Sequence, residues 1–73
     1  MVSKESFVNK IRKLNYTFKS QQKRTDLWRK KGGTHCIFVP LKDKLEDEFV
    51  ISALRQAGEN DKEIQAFLSS ARS

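Results

Sequence analysis

An α+β fold is what this sequence predicts: a three-stranded antiparallel sheet with helices on one face, in the order α-β-β-β-α-α. Three observations carry it. Residues 25–40, TDLWRKKGGTHCIFVP, hold two runs able to be strands, joined by Gly32-Gly33, a pair that tolerates the positive φ of tight hairpin turns. Residues 16–22 alternate, with Tyr16 and Phe18 on one side and Thr17 and Lys19 on the other, as a strand does. Both flanks carry apolar residues at helical spacing, Phe7, Val8, Ile11 and Leu14 before and Phe49, Val50, Ala53 and Leu54 after.

Taken in order, the first helix covers residues 3–14, with Ser3 or Ser6 as its cap and Asn15 as its stop. The first strand follows, and the polar stretch 20–24 ends it and turns the chain. In the Gly-Gly hairpin Lys30 faces His35, Arg29 faces Cys36, Trp28 faces Ile37 and Leu27 faces Phe38. Trp28, Ile37 and Val39 then form a core layer, while Thr25, Leu27, Arg29, Cys36 and Phe38 share the other face. Pro40 ends the third strand because it lacks a ladder N–H. Asp43 with Glu46 reads as a capping pair opening the second helix, whose stripe runs Phe49, Val50, Ala53, Leu54, Ala57 and whose left-handed end is Gly58. Asn60 with Glu63 repeats the cap, and Ile64, Phe67, Leu68 and Ala71 make a third amphipathic helix. No repeat, low-complexity segment or linker interrupts residues 1–73, so a single domain is expected. This layout resembles double-stranded-RNA-binding-like folds.

At 73 residues only about 60% of the unfolded surface can be buried, which argues against a deep catalytic cleft. One cysteine cannot close an internal disulfide, and no stretch has the length of a signal peptide or membrane span, so a cytoplasmic setting is expected. The net charge is +6 and unevenly spread. Residues 1–44 carry twelve Lys/Arg against three acids, and residues 45–73 three against six. Clustered positive charge is the footprint of a polyanion partner; the plainer alternative is a solvated basic surface. Lys19, Lys23, Arg24, Arg29, Lys30 and Lys31 form the candidate phosphate-contact set. Asp26, inside that set, is expected to be balanced by Arg24 or Lys30. Trp28 could stack on a base but pairs as core, and Cys36 reads as an inert small hydrophobe. No phosphate loop, metal constellation or Ser-His-Asp set is present, and no cofactor is expected.

The stretch VPLKDKLEDEFVISALRQAGENDKEIQAFL resembles the C-terminal half of the HicA family of small bacterial toxins. The counterparts are Val39-Pro40 at a strand end, Lys44-Leu45, and the helix end Ala53-Leu54-Arg55-Gln56-Ala57-Gly58. The resemblance implies a ribonuclease that cleaves messenger RNA and is blocked by a HicB-type antitoxin. The family's active residue is a single His in a Gly-Ser-His-x-x-aromatic motif on the second strand. With Trp28 as the aromatic, Lys23, Arg24 and Thr25 stand where Gly, Ser and His are expected, so the catalytic position is Thr25. Threonine cannot accept a proton at neutral pH. Gly33-Thr34-His35 resembles the motif superficially, but it sits one strand too late and His35 falls on the core-facing side near the turn. There it reads either as an edge residue bonded to backbone or as a general base taking the proton of an RNA 2′-OH, in a metal-independent cleavage. The expectation is an RNA-binding HicA-like domain with weak or lost catalysis. The competing class is an interaction module whose Leu27–Arg29–Phe38 face meets an acidic antitoxin-like protein.

Overall fold

The computed structural model describes residues 1–71. The chain runs β1 (Val2–Ser3), α1 (Lys4–Lys13), β2 (Tyr16–Gln22), β3 (Thr25–Lys30), β4 (Cys36–Pro40), β5 (Lys44–Leu45), α2 (Asp47–Gln56) and α3 (Asp61–Ala71). Over the described residues it is an α+β fold with three helices and an antiparallel sheet in the order β2-β3-β4. β1 and β5 form a separate two-stranded ladder that sequence reading did not anticipate. No described helix is long and apolar enough to cross a membrane.

Alternation in the sheet decides where the core lies. Tyr16, Trp28, Ile37 and Val39 are buried on one face and join Phe7 and Ile11 of α1, Val50, Ala53 and Leu54 of α2, and Ile64 and Leu68 of α3 in one cluster. On the opposite face Thr17, Arg29 and Phe38 are exposed. Trp28 is therefore core, with the Arg12 guanidinium over its ring at 5.3 Å and the Phe18 ring edge-on at 5.8 Å. Lys4 Nζ reaches Asp26 at 3.0 Å and ties α1 to the central strand. Lys10 pairs with Glu59 and lies against the Phe67 ring, tying α1 to α3.

The local signals hold where a side chain or a backbone sign determines the geometry. Ser3 Oγ accepts from Ser6 N–H at 3.1 Å and caps α1. Asn15 takes φ 71, ending that helix in the left-handed region. Gly58 takes φ 98; its N–H bonds to the Arg55 carbonyl and the Glu59 N–H to that of Leu54, the paired bonds of a Schellman ending. Asn60 and Glu63 exchange reciprocal bonds of 3.0 and 2.8 Å at the start of α3.

Two expectations are corrected. The β3–β4 turn is not a two-residue Gly-Gly turn: Gly33 N–H bonds to the Lys30 carbonyl at 3.1 Å, and Lys31 and Gly32 are its central residues. Gly32 alone takes a positive φ, 76°, in the third position of that turn, as type II geometry requires. Residues 31–34 form the loop, and because it widens equally at both ends the register is the expected one, Arg29 with Cys36, Trp28 with Ile37, Leu27 with Phe38. The second correction concerns Asp43. α2 begins at Asp47 with Glu46 at its cap and no side-chain cap bond, while the Asp43 carbonyl accepts from Lys4 N–H at 2.8 Å. An extended Lys44–Leu45 pairs with Val2–Ser3 and buries both Val2 and Leu45. Burying those side chains yields about 1.5–3 kcal/mol each, more than the ~1 kcal/mol of a helix cap.

The same comparison orders two variants. Leu45→Ala is expected to cost about 2–5 kcal/mol, much of the ~5 kcal/mol available to so small a domain. Asn60→Ala should cost about 1 kcal/mol. Urea unfolding followed by circular dichroism checks the order, and a Leu45 variant as stable as the Asn60 variant would contradict the role given to the β1–β5 ladder.

Candidate nucleic-acid interface

The open face is built by the residues that alternation turns away from the core. Arg29 stands opposite Thr17 on β2 and Cys36 on β4. Between Phe18 and Ser20 the β2–β3 register shifts, leaving Lys19 as the extra residue of a β-bulge. Lys19 then lines a shallow basin of about 460 Å³ with Thr17, Arg29, Lys30, Lys31 and the turn glycines. Arg29 Nε donates to the Gly33 carbonyl at 3.2 Å, which anchors the guanidinium and leaves its terminal nitrogens for another acceptor.

Four of the six candidate cations, Lys19, Arg29, Lys30 and Lys31, thus come together. The other two do not join them: Lys23 and Arg24 make the β2–β3 turn at the far end of β3, roughly 17 Å away along the strand at ~3.3 Å per residue. Arg24 holds φ 56 there, a left-handed conformation uncommon for a side-chain-bearing residue. Among the described residues none of the six is in an ion pair. Asp26 does not balance Arg24 or Lys30 as expected, because it faces the helix side and is held by Lys4. The cationic surface therefore keeps its charge.

Thr25 and His35 lie apart. Thr25 is half-buried at the start of β3, between Gln22 and Pro40. His35 sits at the other end of the hairpin, its carbonyl accepting from Lys30 N–H at 2.9 Å. Its ring bonds to side chains rather than backbone: Nδ1 to Tyr16 Oη at 2.5 Å and Nε2 to Gln56 Oε1 at 3.4 Å. A neutral imidazole protonated on Nε2 satisfies both, accepting from the Tyr16 hydroxyl and donating to the Gln56 carbonyl oxygen. The ring lies edge-on to Tyr16 at 5.7 Å. Cys36, half-buried, directs its thiol to the Thr34 carbonyl at 3.5 Å. Among the described residues no group of three or more His, Cys, Asp or Glu could hold a metal ion.

Tyr16 and Gln56 were not singled out from the sequence. A signal existed for Tyr16: it pairs with Lys30, which faces His35, so the two hairpins together lay Tyr16 beside the imidazole. Gln56 arrives from α2, and no local pattern announces it. Compared with protein-family models, curated proteins and solved structures, the chain matches none.

Burial pushes the Tyr16 phenol above its ordinary value of 10.0, and electrostatic repulsion from the neighbouring Cys36 adds to the rise. The folded value exceeds the unfolded one, so this stabilisation is whole below the unfolded value and is lost as pH rises through the folded one. Tyr16 is the one tyrosine of the chain, so phenolate absorbance reads it alone. The expected titration lies above that of the urea-unfolded chain; coincident curves would show the hydroxyl to be solvated.

Proposed function

We propose that this chain is an RNA-binding domain of HicA-like type, with a double-stranded-RNA-binding-like arrangement of its elements and with weak or absent cleavage. The observation that carries the reading is the group of cations without ion-pair partners, Lys19, Arg29, Lys30 and Lys31, that line one basin at the turn end of the sheet. Cations gathered without acidic partners are suited to phosphates, whose condensed counterions are released on binding. Weak catalysis follows from Thr25 at the family's active position and from His35 being committed to Tyr16 and Gln56 on the helix side.

A second reading is supported by Phe38, 52% exposed, with its cross-strand partner Leu27 and with Arg29 beside them. That apolar-basic strip suits an acidic, HicB-like antitoxin partner. Salt separates the two: an RNA complex loses affinity linearly in log salt, with a slope that follows the number of phosphates neutralised.

The double variant Arg29→Ala/Lys30→Ala is expected to weaken RNA binding and to lower the salt slope by about 1–2, with little change in unfolding midpoint. Fluorescence anisotropy against labelled RNA measures both, and an unchanged affinity would move the binding face elsewhere. Thr25→His is expected to create or strongly raise RNA cleavage; an unaltered cleavage pattern on a gel would remove the family register on which Thr25 was placed.

A further inference from the structure

We propose that the notch between β4 and α2 receives one unpaired nucleobase, so that the nucleic acid held on the adjoining open face is single-stranded; this rests on the RNA-binding reading above. The notch, at the β4 edge of the sheet, measures about 210 Å³ and is lined by Phe38 and Phe49, with Cys36 and Ile37 on the sheet side and Ser52 and Gln56 on the helix side. That is below the ~300–1,000 Å³ of sites that enclose a drug-sized ligand, and it suits a planar ring with the sugar and phosphate left outside.

The walls differ in kind. Phe49 is fixed, half-buried and tilted onto Phe7 at 5.6 Å. Phe38 is half exposed on the open face and free to cover a base. The polar side is pre-set by the His35 ring. Since Gln56 Oε1 faces His35 Nε2 at 3.4 Å, the amide NH₂ is the group left to donate, and the Ser52 hydroxyl stands beside it as donor or acceptor. An amide donor and a hydroxyl beside aromatic residues suit the Watson–Crick edge of a splayed-out base.

Charge names the occupant. Cys36, on the rim of the notch, is the direct cross-strand partner of Arg29 in the cationic basin, one strand spacing (~4.8 Å) away. A nucleotide chain following the basin presents its phosphates to Arg29 and Lys31 and its base to Phe38. In a duplex the bases are stacked inward and cannot make that step. An apolar side chain of an acidic protein would fill the notch but would not exploit the paired polar groups of Ser52 and Gln56.

The experiment compares a labelled oligouridylate, an abasic strand of the same length and charge, and an RNA duplex, each by anisotropy over a salt series. The native chain is expected to bind the oligouridylate about tenfold or more tighter than the abasic strand, the scale of one lost base stack. Phe38→Ala should remove that difference without altering the salt slope, and Phe38→Tyr should keep it; circular dichroism reports whether each variant is folded. Equal binding of base-bearing and abasic strands, a preference for the duplex, or a loss in Phe38→Ala confined to the salt slope would overturn the notch while leaving RNA binding in place. Absence of binding to all three polyanions, or tight Phe38-dependent binding of an oligoglutamate instead, would overturn both readings.

Discussion

Strict two-residue alternation along β3 and β4 is the constraint on which the rest of this molecule depends. Trp28, Ile37 and Val39 must lie against the helices because a domain this small has no other apolar layer to bury. Once they do, Leu27, Arg29 and Phe38 are forced outward. A slip of one residue would exchange the two sets and place a guanidinium among Phe7, Ile11 and Leu54. The cost of such a slip holds the cations of the turn and the exposed ring of Phe38 on one surface. The face proposed to bind is thus a by-product of core formation rather than a separate construction.

Elements governed by their own neighbours in sequence were legible before any coordinates. The Asn60–Glu63 exchange, the glycine ending at Gly58, the helix stop at Asn15 and the extent of β2 all depend on residues close together in the chain. Asp43 and Glu46 had the same local signature as Asn60 and Glu63, yet the chain uses them differently. The deciding partner, Val2, lies some forty residues away in the chain. The Lys4–Asp26 bond is a similar case, its two residues 22 apart in the chain. Tertiary burial overrode a local preference of about 1 kcal/mol, as it does wherever a buried side chain is at stake.

The candidate site divides along the same line. The register of the β3–β4 hairpin was enough to place Arg29 and Lys31 together and to put His35 on the helix side. It was not enough to separate Lys23 and Arg24 from them, because proximity in sequence across a turn reads as proximity in space until strand length is considered. Lys19 lies in the basin with Thr17, as alternation places it, but it does so as the extra residue of a bulge, and bulges leave little trace in composition. The Tyr16–His35–Gln56 chain draws on a strand, a loop and a helix, so no periodicity could have revealed it.

The same bulge has a bearing on how copies of the chain behave in concentrated solution. An open three-stranded sheet ends in two rows of backbone groups, either of which can recruit an identical molecule and begin a growing stack. Here one border is bent by the irregularity at Lys19, whose ammonium would be driven against its own image in any such pairing. The other border is short and closes on Pro40, which offers no amide hydrogen. The irregularity at Lys19 and the proline at the other border thus both work against edge-to-edge stacking of copies.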